Sequence, residues 1–405
     1  MSVITENTTG EYPTWIPVQF NLKTSPALSA KHVLNPDLEL EESNNFGLQM
    51  VLPSYVIVKT TPSAPFIRTF QVPRRPSPIL DFLWYPTASP YDPATFCFVA
   101  SVRECPVKLL DATDGRLRAS YSIVDHRERQ VAPHSLAFNL TAQRLYCGFE
   151  NAIEIFDVSR PGEGVRQNTT PSKKSKDGLK GIISALAFSP SYNGGESFYA
   201  AGTFSPNGSN IAMFSDEREE PLFLLGGGPY AGVTQLQFNP MRPHILYAAY
   251  RGQGTGQIYS WDVRLDMGQP CNIYQVPSSP SIKPTNQKFR FDIDAAGQFL
   301  SVGDQAGRVS VFNLNDSEDA VRHESGSLTG HLSPELQFQA HDDAVGSVSI
   351  HPSQPIFATA SGSRHFLSYD GNSDSSDAED NPRQCPIVKD SSIKVWDFSD
   401  TKLMQ

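Results

Sequence analysis

One sequence unit met six times, turn residues spread along the whole chain, and strands that alternate apolar and polar residues predict an all-β fold built from repeated sheets. The unit opens with an apolar strand ending near x-F-x-P, as in Phe82-Leu83-Trp84-Tyr85-Pro86, Leu186-Ala187-Phe188-Ser189-Pro190 and Leu236-Gln237-Phe238-Asn239-Pro240. Related forms stand at Leu136-Ala137-Phe138-Asn139, Phe291-Asp292-Ile293-Asp294 and Val348-Ser349-Ile350-His351-Pro352. A second strand rich in Ala, Cys and Gly follows: FVAS from Phe98, LYCGF from Leu145, FYAAG from Phe198, LYAAY from Leu246, FLSVG from Phe299 and IFATA from Ile356. The third ends at Leu110-Asp111, Phe156-Asp157, Phe214-Ser215, Trp261-Asp262, Phe312-Asn313 and Trp396-Asp397. Asp111 to Asp157 and Ser215 to Asp262 are spacings of about 46 and 47 residues, close to the ~40–45 of a four-stranded WD blade.

A lone four-stranded sheet cannot cover both of its faces, whereas stacking such sheets around a ring covers them and leaves only short edges. The chain therefore reads as a WD-repeat β-propeller of seven blades, the first of them degenerate. Residues 1–76 hold a closing strand and that degenerate blade. The last unit shows no outer strand after Trp396, so the run Trp15–Phe20 is expected to pair beside Ile393–Phe398. The stretch from Met50 to Val72 (VLPSYVIVK, then FIRTFQV) is the degenerate blade. Residues 77–313 carry four recognisable blades and most of a fifth, and 314–339 read as a polar linker. Residues 340–405 form the last blade, where His341, a hydroxyl from Thr359 or Ser361, Asp390 and Trp396 are expected to make a buried hydrogen-bond chain. An acidic insert at 364–389 interrupts this blade between its second and third strands. It is too poor in apolar residues to fold. Its Ser376 is followed by Asp377-Ala378-Glu379, an acidic phosphorylation context.

The 405 residues are 39% hydrophobic and 19% charged, which suits a folded domain rather than a disordered one. A formal charge of −10 argues at first against a nucleic-acid ligand. Nine of the 43 acids, however, lie in two short segments around Asp37–Glu42 and Asp370–Asp380, leaving 34 against 33 Lys and Arg. A local basic patch is therefore compatible with the composition. The opening MSVITENTTG has no basic or apolar region of a secretory signal, and no run approaches the ~20 apolar residues that span a bilayer. Five cysteines without CxxC spacing read as buried reduced thiols of an intracellular protein.

Several strings are more specific than the repeat: SVRECPVKLLDATDGRLRASY from Ser101, HSLAF at His134, LYCGF from Leu145, SRPG from Ser159 and GIISALAFSP from Gly181. They continue with LFLLGGG from Leu222, WDVR at Trp261 and FDIDAAGQFLSVGDQAGRVSVFN from Phe291. In these strings and their order the chain resembles the telomerase Cajal body protein family, over residues 77–313 and again over 340–362. Where that family has a His after LLGG, this chain carries Gly228-Pro229-Tyr230. The resemblance implies a nuclear propeller that binds a loop element of H/ACA-type small RNAs, including telomerase RNA in animals, and directs their ribonucleoproteins to Cajal bodies or related nuclear bodies. The alternative is a generic WD scaffold for protein complexes in splicing or chromatin.

RNA loops are read by stacking splayed bases on aromatic rings and pairing phosphates with Arg or Lys. Loops between second and third strands can gather such groups on one face, and there stand Arg103, Phe149, Phe204, Tyr250 and Arg251. For each aromatic the competing role is packing against a neighbouring blade, and for Arg103 an ion pair with Glu104 or a neighbour. His134 reads as a core hydrogen-bonding residue, Arg264 as a surface residue, and Lys173, Lys174, Lys176 and Lys180 as a solvated basic run. No P-loop, GxSxG, HExxH or paired Cys/His spacing is present. The expectation is a binding protein without catalytic residues, cofactor, metal or small-molecule substrate.

Overall fold

The computed structural model describes residues 17–33, 54–59, 66–71, 78–171, 178–190, 196–218, 220–252, 254–265, 267–277, 285–315, 329–362 and 389–399. Among them stand strands, turns and loops, and no helix. The first strand, β1 (Ala27–Val33), and a hairpin of β2 (Ser54–Lys59) and β3 (Phe66–Gln71) precede the repeated sheets. Blade one is β4 (Ile79–Trp84), β5 (Cys97–Val102), β6 (Val107–Asp111) and β7 (Leu117–Tyr121). Blade two is β8 (Ser135–Phe138), β9 (Arg144–Phe149), β10 (Ala152–Asp157) and β11 (Val165–Asn168). Blade three is β12 (Ile183–Phe188), β13 (Phe198–Thr203), β14 (Ile211–Ser215) and β15 (Phe223–Leu225). Blade four is β16 (Val233–Phe238), β17 (Ile245–Tyr250), β18 (Gln257–Asp262) and β19 (Asn272–Gln275).

Residues 314–339, expected as a linker, supply two further strands. Here β23 (Gly330–Leu332) adds parallel to β19 at the outer edge of blade four. The next strand, β24 (Leu336–Gln339), completes blade five beside β20 (Phe291–Ile293), β21 (Phe299–Gly303) and β22 (Arg308–Asn313). Blade six is β25 (Val345–Ile350), β26 (Ile356–Ser361) and β27 (Ser392–Asp397), with β1 as its outer strand.

The described residues thus form six blades rather than seven, five of four strands and blade four of five. The hairpin β2–β3 pairs from Ser54↔Gln71 to Lys59↔Phe66 and stays two-stranded. Closure by an N-terminal strand is present, but the segment differs from the expected one. Ala27–Val33 pairs antiparallel with Ser392–Asp397, whereas Trp15 lies outside the described residues. Phe20 works by packing instead: its ring meets those of Phe299, Phe357 and Phe398 at 5.6, 5.4 and 6.2 Å. The adjacent Asn21 amide donates to the Phe398 carbonyl at 2.9 Å. An outer strand faces solvent, so the weakly apolar ALSAKHV can serve there while the more apolar residues before it fill the core.

From blade one to blade five, each first strand is clasped to the next. Asp81 Oδ2 accepts from the Leu136 amide at 2.9 Å, and Ser135 Oγ donates to the Ile183 carbonyl at 2.9 Å. Ser184 Oγ donates to the Val233 carbonyl at 2.6 Å. Gln235 exchanges bonds of 2.8 and 3.0 Å with the Phe291 backbone, and Asp292 Oδ2 accepts from the Ile350 amide at 2.8 Å. Those bonds run from blade one to blade six in turn and fix first strands as the lining of the central channel.

In blade six, Trp396 Nε1 donates to Thr359 Oγ1 at 2.9 Å, Thr359 Oγ1 lies 2.8 Å from His341 Nε2, and His341 Nδ1 lies 3.1 Å from Asp390 Oδ2. The hydroxyl in the chain is Thr359; Ser361 donates instead to the Ala344 carbonyl. Ser392 joins by donating to Asp390 Oδ1 at 2.6 Å. Ser392, His341 and Asp390 are all buried and serve this hydrogen-bond chain. Burial and the Lys394 charge push His341 down to about 4, partly opposed by Asp390, so its ring is neutral at pH 7 and donates from Nδ1.

Candidate functional site

Loops between second and third strands, and those leading from one blade to the next, emerge on the same face. Short backbone bonds tie them together. Arg103 N donates to the Pro78 carbonyl at 3.0 Å, Phe204 N to Ile182 at 3.1 Å and Arg251 N to Gly232 at 2.9 Å. Arg290 N donates to Gly346 at 2.9 Å. The acidic insert leaves and rejoins the blades on this face, between Gly362 and Lys389; Ser376 lies outside the described residues.

A compact cationic–aromatic cluster sits here. The Arg251 guanidinium lies 3.8 Å over the Phe204 ring, and Lys288 Nζ lies 5.4 Å from the same ring. His134 meets Phe204 edge-on with centroids 6.2 Å apart. Arg290 Nη2 donates to Asp81 Oδ1, joining blade five to blade one. Guanidinium over a ring is a favourable cation–π contact. It also makes a composite plate whose outer plane can take a base. Gly232 permits the close approach: a Cβ there would lie 2.9 Å from the Phe204 carbonyl oxygen and 3.0 Å from Arg251 Nε.

Electrostatics report concentrated positive charge. Burial, then Lys288, Arg103 and Arg251, push His134 down to about 4, with Asp81 opposing. Burial pushes Lys288 down to about 8; Asp81 raises it while Arg290 and Arg251 lower it. Burial also lowers Arg251 from its usual value. Asp81 is thus the one carboxylate acting on both His134 and Lys288 among the described residues.

Of the five residues expected to meet RNA, Phe204 and Arg251 come together and Arg103 is close enough to act on His134. Arg103 is exposed and makes no ion pair with Glu104 among the described residues. The other two require correction. Phe149 is 8% exposed in the core shared by blades one and two, with the Arg166 guanidinium 5.1 Å over its ring. Tyr250 is 4% exposed and packs edge-on against Tyr259 at 5.5 Å. No base can stack on either ring without opening a blade. Three residues of this face were missed from the sequence: Lys288, Arg290 and Tyr230, the last 78% exposed and resting on Gly208. Lys288 and Arg290 flank Phe289, which is buried, and that alternation was a readable signal. His134 belongs to the cluster rather than to the core.

Two results are expected from these placements. Phe149→Ala and Tyr250→Ala should each lower stability by ~3–4 kcal/mol, the cost of a buried ring plus its cavity, while leaving RNA affinity of the folded fraction unchanged in a filter-binding assay. Acid should weaken the fold in a defined window. His134 and His341 have folded pKa values near 4, below the ordinary 6.5, so the unfolded chain binds their protons first. Their contribution is full above pH 6.5 and is lost as pH falls towards 4. Asp292, half-buried and raised to about 6 by desolvation, acts in the opposite sense. Urea unfolding at pH 7 and pH 5 should show the loss, and Asp292→Asn should steepen it.

Among the described residues no three His, Cys, Asp or Glu side chains gather to hold a metal ion. No family model matches the chain. Telomerase Cajal body protein 1 of rat, Rattus norvegicus, is 35% identical over 288 residues, which are 71% of this chain and 49% of the rat protein. Its mouse counterpart, from Mus musculus, is 36% identical over 290 residues, again 71% of this chain and 49% of the relative. A fission-yeast protein (Schizosaccharomyces pombe), guanine nucleotide-binding protein negative regulator 1, is 29% identical over 238 residues, 56% of this chain and 55% of its own length. The chain spans about half the length of the curated relatives it matches. By its repeated four-stranded blades and by these similarities, the chain belongs to the telomerase Cajal body protein family of WD-repeat propellers.

Proposed function

We propose that this propeller binds H/ACA-type small RNAs at the channel mouth and directs their ribonucleoproteins, telomerase among them, to Cajal bodies or related nuclear bodies. The single observation that carries RNA binding is the cluster of Arg251, Phe204, Lys288 and His134, with Arg290 beside it. Cations set against an aromatic plate suit a splayed RNA loop, whose phosphates need charge and whose bases need flat surfaces. A smooth apolar or acidic rim would have suited a peptide; this rim carries cations. The choice of RNA class and nuclear destination draws on the relatives named for telomerase and the Cajal body, together with the shared strings.

The chain's own residues bind and orient; nothing in the site calls for covalent chemistry. Crosslinking in cells followed by sequencing of bound RNA tests the reading. Enrichment of H/ACA-type RNAs is the expected result. An efficient pulldown that returns none of them would overturn it.

A further inference from the structure

The Lys288 side chain is a partly buried cation with no hydrogen bond or ion pair among the described residues. Its ammonium faces the Phe204 ring at 5.4 Å and shares its surroundings with Arg251 and Arg290. Asp81, the carboxylate nearest in effect, is already engaged: Oδ1 accepts from Arg290 and Oδ2 from the Leu136 amide. Arg251 likewise has its guanidinium over a ring rather than on an acceptor. A desolvated ammonium without an anionic partner is costly, and proteins normally pair or neutralise it. Three cations against one carboxylate leave an excess of two positive charges.

We propose that Lys288, Arg251 and Arg290 form a seat for one phosphate group, held without regard to the base attached to it. Lysine offers three donors as a compact charge, and arginine offers a planar fork, a combination that matches the tetrahedral oxygens of a phosphate. A carboxylate would satisfy fewer of these donors and less of the charge. The seat rests on the RNA reading for its source: the phosphate is that of an RNA backbone anchored at the channel mouth. Base selection then falls to neighbouring surfaces of the rim, such as the exposed Tyr230. A free polyphosphate presents the same chemistry, and the test separates the two sources.

The probe is inorganic tripolyphosphate, titrated calorimetrically into the full chain and into Lys288→Met in phosphate-free buffer. Melting temperatures and the affinity for a mixed-sequence single-stranded RNA oligonucleotide are measured alongside. Wild type should bind tripolyphosphate and gain melting temperature; Lys288→Met should lose both effects. RNA affinity of the variant should fall by about tenfold, as for a lost charged hydrogen bond, with the ranking of RNA sequences unchanged. Without any anion the variant should melt at or above the wild-type temperature, because it removes an unpaired buried charge. Equal tripolyphosphate binding by both proteins would overturn the seat. So would a marked fall in the variant's anion-free melting temperature, which would make Lys288 a structural residue. If tripolyphosphate binding depends on Lys288 while wild type ignores RNA, the seat stands and its source is a free polyphosphate.

Discussion

A chain beginning at residue 34 is expected to lose most or all of its folded stability. The outer strand β1 pairs along its length with β27, from Ala27↔Asp397 to Val33↔Ser392. Without it, β27 becomes an open edge beside the buried His341–Thr359–Trp396 chain. The same deletion removes Phe20 from its contacts with Phe299, Phe357 and Phe398, and removes the buried Leu22. Truncating a single buried Leu or Phe costs ~2–5 kcal/mol, and whole domains hold only ~5–15 kcal/mol. Losing two such side chains and a full strand therefore consumes most of that margin. Thermal unfolding followed by circular dichroism checks this, with Phe20→Ala as the milder variant at a cost of about 2–3 kcal/mol. An unchanged melting temperature of the truncated chain would show that the blade holds without its N-terminal strand.

Arg251→Ala should produce the largest single loss of RNA affinity. It removes a cation and the upper plane of the Phe204 plate in one step, since the guanidinium lies 3.8 Å over that ring. Stacking contributes ~1–3 kcal/mol per base by alanine substitution, and a charged hydrogen bond about 1.5–3 kcal/mol. A fall of about 60- to 20,000-fold in affinity follows when both are lost in full. Salt dependence should weaken too, with the slope of log affinity against log salt reduced by about 0.7 for one phosphate contact on a single strand. Gly232→Ala should act in the same direction without removing any charge, because its Cβ would crowd the Phe204 backbone and Arg251. Fluorescence anisotropy at two salt concentrations reads both effects. Wild-type affinity in Arg251→Ala would remove the plate from the binding surface.

The first three strands of blades one to six were readable because the same unit recurs six times in the same order. Three features were not. The closing strand is expected on Trp15–Phe20 and stands instead at Ala27–Val33: apolar content marks what is buried, and an outer edge strand need not be apolar. Phe20 is used for packing and the exposed Leu28 and Val33 lie on the strand itself. The linker at 314–339 hid β24, whose LQFQ alternates in only four residues. In the candidate site, register misled. Phe149 shares its face of the second strand with the buried Leu145 and Cys147, and Tyr250 with the buried Leu246 and Ala248, each at the last position of its strand. That register directs both rings into the core. Phe204 lies one residue beyond the end of β13, and Arg251 one beyond β17, so both escape the pleat and reach the channel mouth. Lys288 and Arg290 come from a connection between blades rather than a turn within one, where a search of the turns alone does not look.

The central claim is that RNA meets this protein at the channel mouth. Ultraviolet crosslinking of the full chain to bound RNA, with the adducts located by mass spectrometry of the digested protein, tests it most directly. The expected adducts lie on peptides containing Phe204, Tyr230, Arg251 and Lys288. Adducts confined to the opposite face, on the turns around Tyr91, Met241 or Leu265, would contradict it.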